Sequence, residues 1–412
     1  MPEKQQSLRA LDALNFFNAG IQTGLGPFIA IYYASARHWN PGQIGILLGI
    51  QSLSGVVLQS MVGDYIDNSS NKRYISAAAA LIVTLGCLGI VLAPNFALEC
   101  LVQFGIGVAV TVFPAATSGF TLGLVAKEQV SERVSRNETL THSGNVLYAA
   151  IAAVVGQLIA IAGLFYAAAV FAAGMIGSSL TIRSGDVDHE AARAGEQGED
   201  GGKEHSGWRD LLKDRRILTF TAIVVLFNVS NAATLPLVGQ LLGQGKKAAS
   251  IWQVAACVIV AEMVMVGVAA LIGKRADKWG RKPIFLFAFG VLATRNFLTI
   301  ASHNQWYLIS LQSLDGVAAA IYGVLLTLVV ADLAKGTGRF NFMQGAVQSS
   351  MGLGGFLSNL AFGWVAKSMG FNASFIGLGV AAACGGALYL FRMPETSDQT
   401  QGEEKQQPSH AQ

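Results

Sequence analysis

The chain has 412 residues, 52% of them hydrophobic and only 13% charged, with 47 glycines and a mean hydropathy of +0.47. Soluble domains carry about 25% charged residues and fewer glycines than membrane helices, so this composition excludes an ordinary soluble domain. The net charge of +3 comes with no basic stripe interleaved with aromatics, which excludes a nucleic-acid-binding surface.

The first residues, MPEKQQSLRALDAL, lack the short apolar core and small-residue cleavage site of a signal peptide. Twelve stretches then meet the requirement of about 20 mostly apolar residues for crossing a bilayer. The first six are expected near 12–35, 43–63, 73–93, 97–124, 140–161 and 164–182. The second six are expected near 216–241, 250–272, 283–301, 306–332, 341–366 and 372–391. With both termini on the inner side, only Arg37, Lys246, Lys247 and Lys367 of the 28 basic residues fall outside, and Arg295 falls within a span. That asymmetry is a positive-inside signal, which one missed span would scramble.

Span 1 carries Asp12, Asn15, Asn18 and Gln22 three or four residues apart, on one helical face. Glu99 and Asp12 lie near helix ends and are read as interfacial. On span 5, Asn145 and Tyr148 sit three apart. The segment 183–215 divides the chain: GDVDHEAARAGEQGEDGGKEH is Gly-rich, acidic and aperiodic, the composition of a flexible linker, and WRDLLKD after it suits a short surface turn. Span 7 carries Asn228 and Asn231. GQGKK at 243–247 lacks the earlier glycine and the following Ser/Thr of a phosphate loop, so an ATP-driven pump is rejected. Glu262 in span 8, Arg295 in span 9 and Asp315 in span 10 are ionisable groups deep in apolar helices, and such groups default to functional candidates. They are expected to cluster in the second half. Span 11 adds Asn341, Gln344 and Gln348, with Gly345, Ser349, Gly352 and Gly355 suited to close packing. Residues 392–412 read as a disordered tail. Cys87, Cys100, Cys257 and Cys384 are scattered in apolar runs and read as small buried hydrophobes. No histidine pattern supports a metal site or a membrane enzyme, and no cofactor is implied.

Two features recur about half a chain apart. GKRADKWGRK at 273–282 has a worn copy in GDYIDNSSNKR at 63–73, and NFFN followed by Pro27 is echoed by NVSN followed by Pro236. Gly273, Asp277, Lys278, Gly280, Arg281 and Lys282 fit the pattern G-x-x-x-D-[RK]-x-G-R-[RK]. The chain therefore resembles the major facilitator superfamily, over essentially its whole length. The first copy keeps Gly63 and Asp67, has Ser70 and Asn71 in place of the second glycine and next basic residue, and retains Lys72 and Arg73. Gly273 is read as a site of close helix approach, Gly280 as a turn residue, and Asp277 as a cap or an arginine partner.

The resemblance implies an all-α integral membrane protein with two six-helix bundles, 1–182 and 216–391, related by a pseudo-two-fold axis, with both termini cytoplasmic. It implies that the signature loop latches the halves in the outward-facing state, and that helices 1, 7 and 10 line a central cavity. Asn15, Asn18, Gln22, Asn228, Asn231 and Tyr322 are the resulting substrate-cavity candidates, and Asp315, Glu262 and Arg295 the proton-coupling candidates. Two marks of proton-coupled drug exporters are missing: Leu101 stands where their span-4 arginine precedes Gly105 and Gly107, and span 5 has no Gly-Pro. The expected function is secondary transport of a small molecule in a bacterial inner membrane, by a monomer, as proton-coupled efflux. Uptake symport and uncoupled facilitation are the alternatives.

Overall fold

The computed structural model describes residues 2–24, 26–126, 129–158, 162–188, 215–243, 250–334 and 340–396. Among these there are fifteen α-helices and no strand: α1 Pro2–Gly24, α2 Pro27–Ser35, α3 Pro41–Asn68, α4 Lys72–Leu92, α5 Phe96–Val110, α6 Val112–Leu124, α7 Val130–Leu158, α8 Gly163–Thr181, α9 Arg215–Asn231, α10 Thr234–Gly243, α11 Ser250–Trp279, α12 Arg281–Thr299, α13 Gln305–Ala334, α14 Phe340–Met369 and α15 Phe371–Arg392. They make twelve passes, because α1–α2, α5–α6 and α9–α10 are each one broken span. Eight of the passes are long and apolar enough by composition to cross a membrane. The other four, at α1–α2, α7, α12 and α14, carry the polar and charged side chains discussed below.

Each break has a proline just beyond it: Pro27, Pro114 and Pro236. Proline has no N–H and clashes with the carbonyl four residues back, which ends or kinks a helix. At the α9–α10 break a side chain from α14 enters the ladder. Ser358 Oγ donates to Val229 O at 2.7 Å and accepts from Ala233 N at 3.0 Å, replacing the lost rung.

Helices α1–α8 pack on one another, as do α9–α15, with equivalent partners in each group. Glycine marks the tightest crossings twice over. Gly144 brings α7 onto Phe16 O of α1, and Gly354 brings α14 onto Val225 O of α9. Gly107 brings α5 onto Gln51 O of α3, and Gly316 brings α13 onto Ala261 O of α11. Lipid gives no hydrophobic drive between helices, so backbone contact at small residues and interhelical hydrogen bonds hold the bundle together. The outer faces suit a lipid environment: Leu81, Leu85, Leu88 and Leu92 make an exposed stripe along α4. Cys384 also lies exposed on α15 and Cys100 is half-buried, so only Cys87 and Cys257 are the buried hydrophobes expected.

The two groups meet along α3–α14, α7–α11 and α2–α10. These contacts lie toward the end that carries the 36–40 and 302–304 loops. Gly45 and Gly363 let α3 and α14 cross almost backbone to backbone; a Cβ on Gly363 would lie 2.7 Å from Pro41 O. Gly156 of α7 abuts Ile251 of α11, and Gly239 of α10 abuts Ile31 of α2. The buried apolar core follows the same division. At this end it runs unbroken from Phe28 and Tyr33 into Leu237, Val254, Val258 and Leu308. Toward the other end the second group keeps its own cluster, from Phe220 and Phe285 to Tyr389. One end of the bundle is therefore sealed across the halves.

Two segments expected to be loose pack instead. Ser184–Asp186 form a 3-10 turn, with Ser7 Oγ donating to Asp186 Oδ2 at 2.6 Å and Asp188 N donating to Gly123 O at 2.9 Å. Met393 is buried beyond α15, and Glu395 and Thr396 bond to other elements. Residues 189–214 and 397–412 lie outside the described residues.

Candidate functional site

In the second group, three helices bring one buried arginine to two acceptors. Arg295 of α12 is 1% exposed; its Nη1 donates to Asp315 Oδ1 of α13, and its Nη2 donates to Asn231 Oδ1 at 2.8 Å. The next residue braces the same region: Asn296 Nδ2 donates to Ser230 O at 2.9 Å, and Thr234 Oγ1 donates to Asn296 Oδ1 at 3.1 Å. One turn from Asn231, Asn228 Nδ2 donates to Val224 O at 2.9 Å and to Tyr322 Oη at 2.8 Å. Tyr322 is fixed by stacking on Phe227, with ring centroids 4.0 Å apart.

Glu262 does not join this group. It reaches out of the second half to α7 of the first. Its Oε2 lies 2.6 Å from His142 Nδ1, and its Oε1 accepts from Asn145 Nδ2 at 2.8 Å. The expected three-residue cluster thus splits into a pair inside one half and a bridge between halves. His142 escaped the sequence reading. Its only local signal is its place three residues before Asn145, on one face of α7.

In the first group, Asn15 is buried and its Nδ2 donates to Leu11 O at 2.8 Å. Asn18 is buried too, and its Oδ1 has no hydrogen-bond partner among the described residues. The side chain of Gln22 lies outside the described residues, as does that of Asn341. Asp12 is not a loose interfacial acid: Arg133 Nη2 lies 2.7 Å from its Oδ1, and Arg136 Nε and Nη2 donate to its two oxygens at 3.0 and 2.7 Å. Glu99 is also no interfacial residue. It is fully buried near the sealed end, where Tyr33 Oη donates to its Oε2 at 2.9 Å and Gln103 Nε2 donates to Tyr33 Oη at 2.9 Å. Arg37 beside it donates through Nη2 to Ile90 O, Val91 O and Ala93 O, satisfying the last carbonyls of α4.

The second copy of the basic loop is built around the start of α12. Gly280 has φ +80°, the left-handed backbone that favours glycine. Arg281 Nε donates to Asp332 Oδ2 at 3.1 Å. The Arg281 and Lys282 backbone N–H groups donate to Glu395 Oε1 and Oε2 at 2.8 and 3.0 Å, and Thr396 Oγ1 donates to the same Asp332 oxygen at 3.1 Å. A carboxylate from beyond α15 therefore caps the N-terminus of α12, where helix dipole and orphan donors favour negative charge. Glu395→Ala is expected to lower stability by about 1–2 kcal/mol, with Glu395→Gln retaining roughly half, read as the thermal midpoint of the purified protein. Gly273 is not a close-approach site: among the described residues nothing lies within 4 Å of where its Cβ would be. The Asp277 and Asp67 side chains lie outside the described residues, as do the surroundings of Gly63. Lys72 is buried, donates through Nζ to Ile66 O at the end of α3, and lies against Gly119. Arg73 stacks on Tyr74, with Cζ 4.5 Å from the ring centroid.

Comparison with known proteins adds three findings. A family model described as Major Facilitator Superfamily matches residues 11–294 and 263–412. Proteins of two Mycobacterium tuberculosis strains, each named an uncharacterized MFS-type transporter, are 37% identical over 393 residues, covering 95% of this chain and 94% of theirs. Among solved structures, a mutant of the nucleoside transporter NupG superposes with a TM-score of 0.79 at 12% identity, over 94% of this chain and 100% of that one. An inward-facing, unoccupied bacterial homolog of the human lysosomal transporter Spinster gives 0.73 at 13% identity, over 95% of this chain and 97% of that one.

Proposed function

Because this chain belongs to the major facilitator superfamily, and so is a multi-pass membrane transporter rather than an enzyme, we propose that it exports a small polar or amphipathic molecule by alternating access coupled to protons. The observation that carries this reading is the contrast along the bundle. One end is sealed by an apolar core continuous across the halves, while amide and charged side chains gather between the helices at mid-depth. In this reading the basic loops and both termini lie in the cytoplasm, the sealed end faces outward, and the protein is inward-facing. The inward-facing Spinster homolog has the same fold, which supports that reading. The mycobacterial relatives support a bacterial inner membrane. Asn228 and Tyr322, with Asn15 and Asn18 across the bundle, contact the solute, and a membrane-embedded carboxyl carries the proton.

Inverted vesicles acidified by respiration, with a pH-sensitive dye, test this. Sugars, organic acids, chelators, metalloids and cationic drugs are added in turn. One class is expected to release protons. Glu262→Gln stops the release, and Asn228→Ala raises the solute concentration needed by about tenfold, equivalent to one buried hydrogen bond. Solute movement without proton flux favours the facilitator reading, and movement with the proton gradient favours uptake.

A further inference from the structure

Of the buried acids, Glu99 and the Arg295–Asp315 pair are answered from within their own halves, and only the Glu262 bridge has partners that rocking must change. A carboxyl couples its proton to a conformational change only if its surroundings differ between the two states. Asp315 is held by Arg295 and Asn231, all on helices of the second half. A guanidinium keeps its charge, and a half that moves as a body takes all three residues with it. Glu262 is held by His142 and Asn145, on a helix of the other half. The seam between α7 and α11 runs from Gly156 and Ile251 at the sealed end to this bridge. The bridge is the last polar contact between the two helices in that direction among the described residues. Glu262 and Asn145 are buried, and His142 is 24% exposed, so the carboxylate rests on these two donors rather than on water.

We infer that Glu262, His142 and Asn145 form a proton-operated clasp between the halves, with His142 and Asn145 as positioning residues for the Glu262 carboxyl. The inference rests on the alternating-access reading and assigns proton coupling within it. In the sealed state the carboxylate accepts hydrogen bonds from both donors. When the halves rock, it loses both in a low-dielectric setting, which favours the neutral acid. Glu262 then takes a proton from water entering at the newly opened end. On return, as His142 Nδ1 and Asn145 Nδ2 re-engage, it gives that proton to water at the other end. A solute that crosses without a proton has to supply its own donor, an amine or hydroxyl, to the same oxygens. The charged surroundings are few. Glu138 lies one turn from His142 on α7, Asp315 and Arg295 on α13 and α12 neutralise each other, and α2 and α10 carry no Asp, Glu, Lys, Arg or His.

Spin labels at Val134 of α7 and Leu271 of α11, both exposed positions beyond the clasp, report the separation of the halves there. The labelled protein in lipid nanodiscs is expected to shift from a long to a short distance when the buffer is acidified far enough to protonate the Glu262 carboxyl. The ratio of the two populations changes by up to about tenfold per pH unit for one coupled proton. Glu262→Gln and His142→Ala each flatten this pH response, His142→Gln keeps a donor for the carboxylate and so retains it, and Glu138→Gln, on the exposed face one turn away, keeps the wild-type response. A pH shift that survives Glu262→Gln in a monodisperse protein overturns the clasp, and so does one abolished by Glu138→Gln. A distance fixed at every pH, in a protein that still moves solute in vesicles, also overturns the clasp and leaves transport standing. A fixed distance with no transport of any solute overturns both.

Discussion

Arg295→Met is expected to be the most damaging single substitution in the second half. Arg295 is 1% exposed and Asp315 has no other ion-pair partner among the described residues. Removing the guanidinium leaves a carboxylate in an apolar bundle with Asn231 turned from acceptor to bystander. Breaking a buried pair from one side costs about 3–5 kcal/mol, because the surviving charge is uncompensated. The thermal midpoint should fall steeply and transport should be lost. The double variant Arg295→Met/Asp315→Leu separates two explanations. If the loss comes from the stranded charge, the apolar pair recovers most of the stability. If the double variant is as unstable as the single, the arginine's hydrogen bond to Asn231 at the α9 end is what holds the fold, and the charge argument fails.

Gly45→Val is expected to act on conformation more than on folding. A side chain there would run into Asn359 O of α14, at the crossing where the halves seal. Overpacking a close-packed contact costs about 1–3 kcal/mol. Here the strain falls only on the state in which α3 and α14 meet at that end. The equilibrium should move toward opening there, by about tenfold for each 1.4 kcal/mol of strain. The readout is a cysteine placed at Ile31, fully buried where α2 meets α10, in a background with the four native cysteines replaced. It should react quickly with an impermeant thiol reagent in the Gly45→Val protein and slowly without it. Equal reactivity in both would mean that α2–α10 closes independently of the α3–α14 crossing.

Hydropathy and proline carried much of this architecture on the surface of the sequence. The twelve expected stretches fall on the fifteen helices with ends displaced by a few residues, except where amphipathic turns extend α1, α7 and α11 beyond the apolar run. The breaks were foreshadowed by Pro27 and Pro236, whose chemistry is local. Pairings were not legible. Glu262 and Arg295 look alike in sequence, each a lone charge in an apolar run. Which half answers them depends on contacts 120 residues away for Glu262 and 20 for Arg295. Glu99 was misread for the same reason: its burial comes from Tyr33 and Gln103, neither of which marks it in sequence. The docked Met393–Thr396 segment was misread because a short polar stretch looks like a tail until Asp332 and the start of α12 are known to lie beside it.

Ser358 has a consequence for how the sealed end gives way. It substitutes for one rung of the α9–α10 ladder while belonging to α14, the helix that carries the Gly363 crossing. Swinging α10 on α9 therefore strains a bond to α14, so in the second half the two motions share a single degree of freedom. In the first half the matching helix is tied differently: Tyr33 of α2 donates to Glu99 of α5, so α2 is linked to α5 rather than to the helix that crosses the seam. The two plugs of the sealed end are thus tethered to different neighbours, α2 to α5 and α10 to α14.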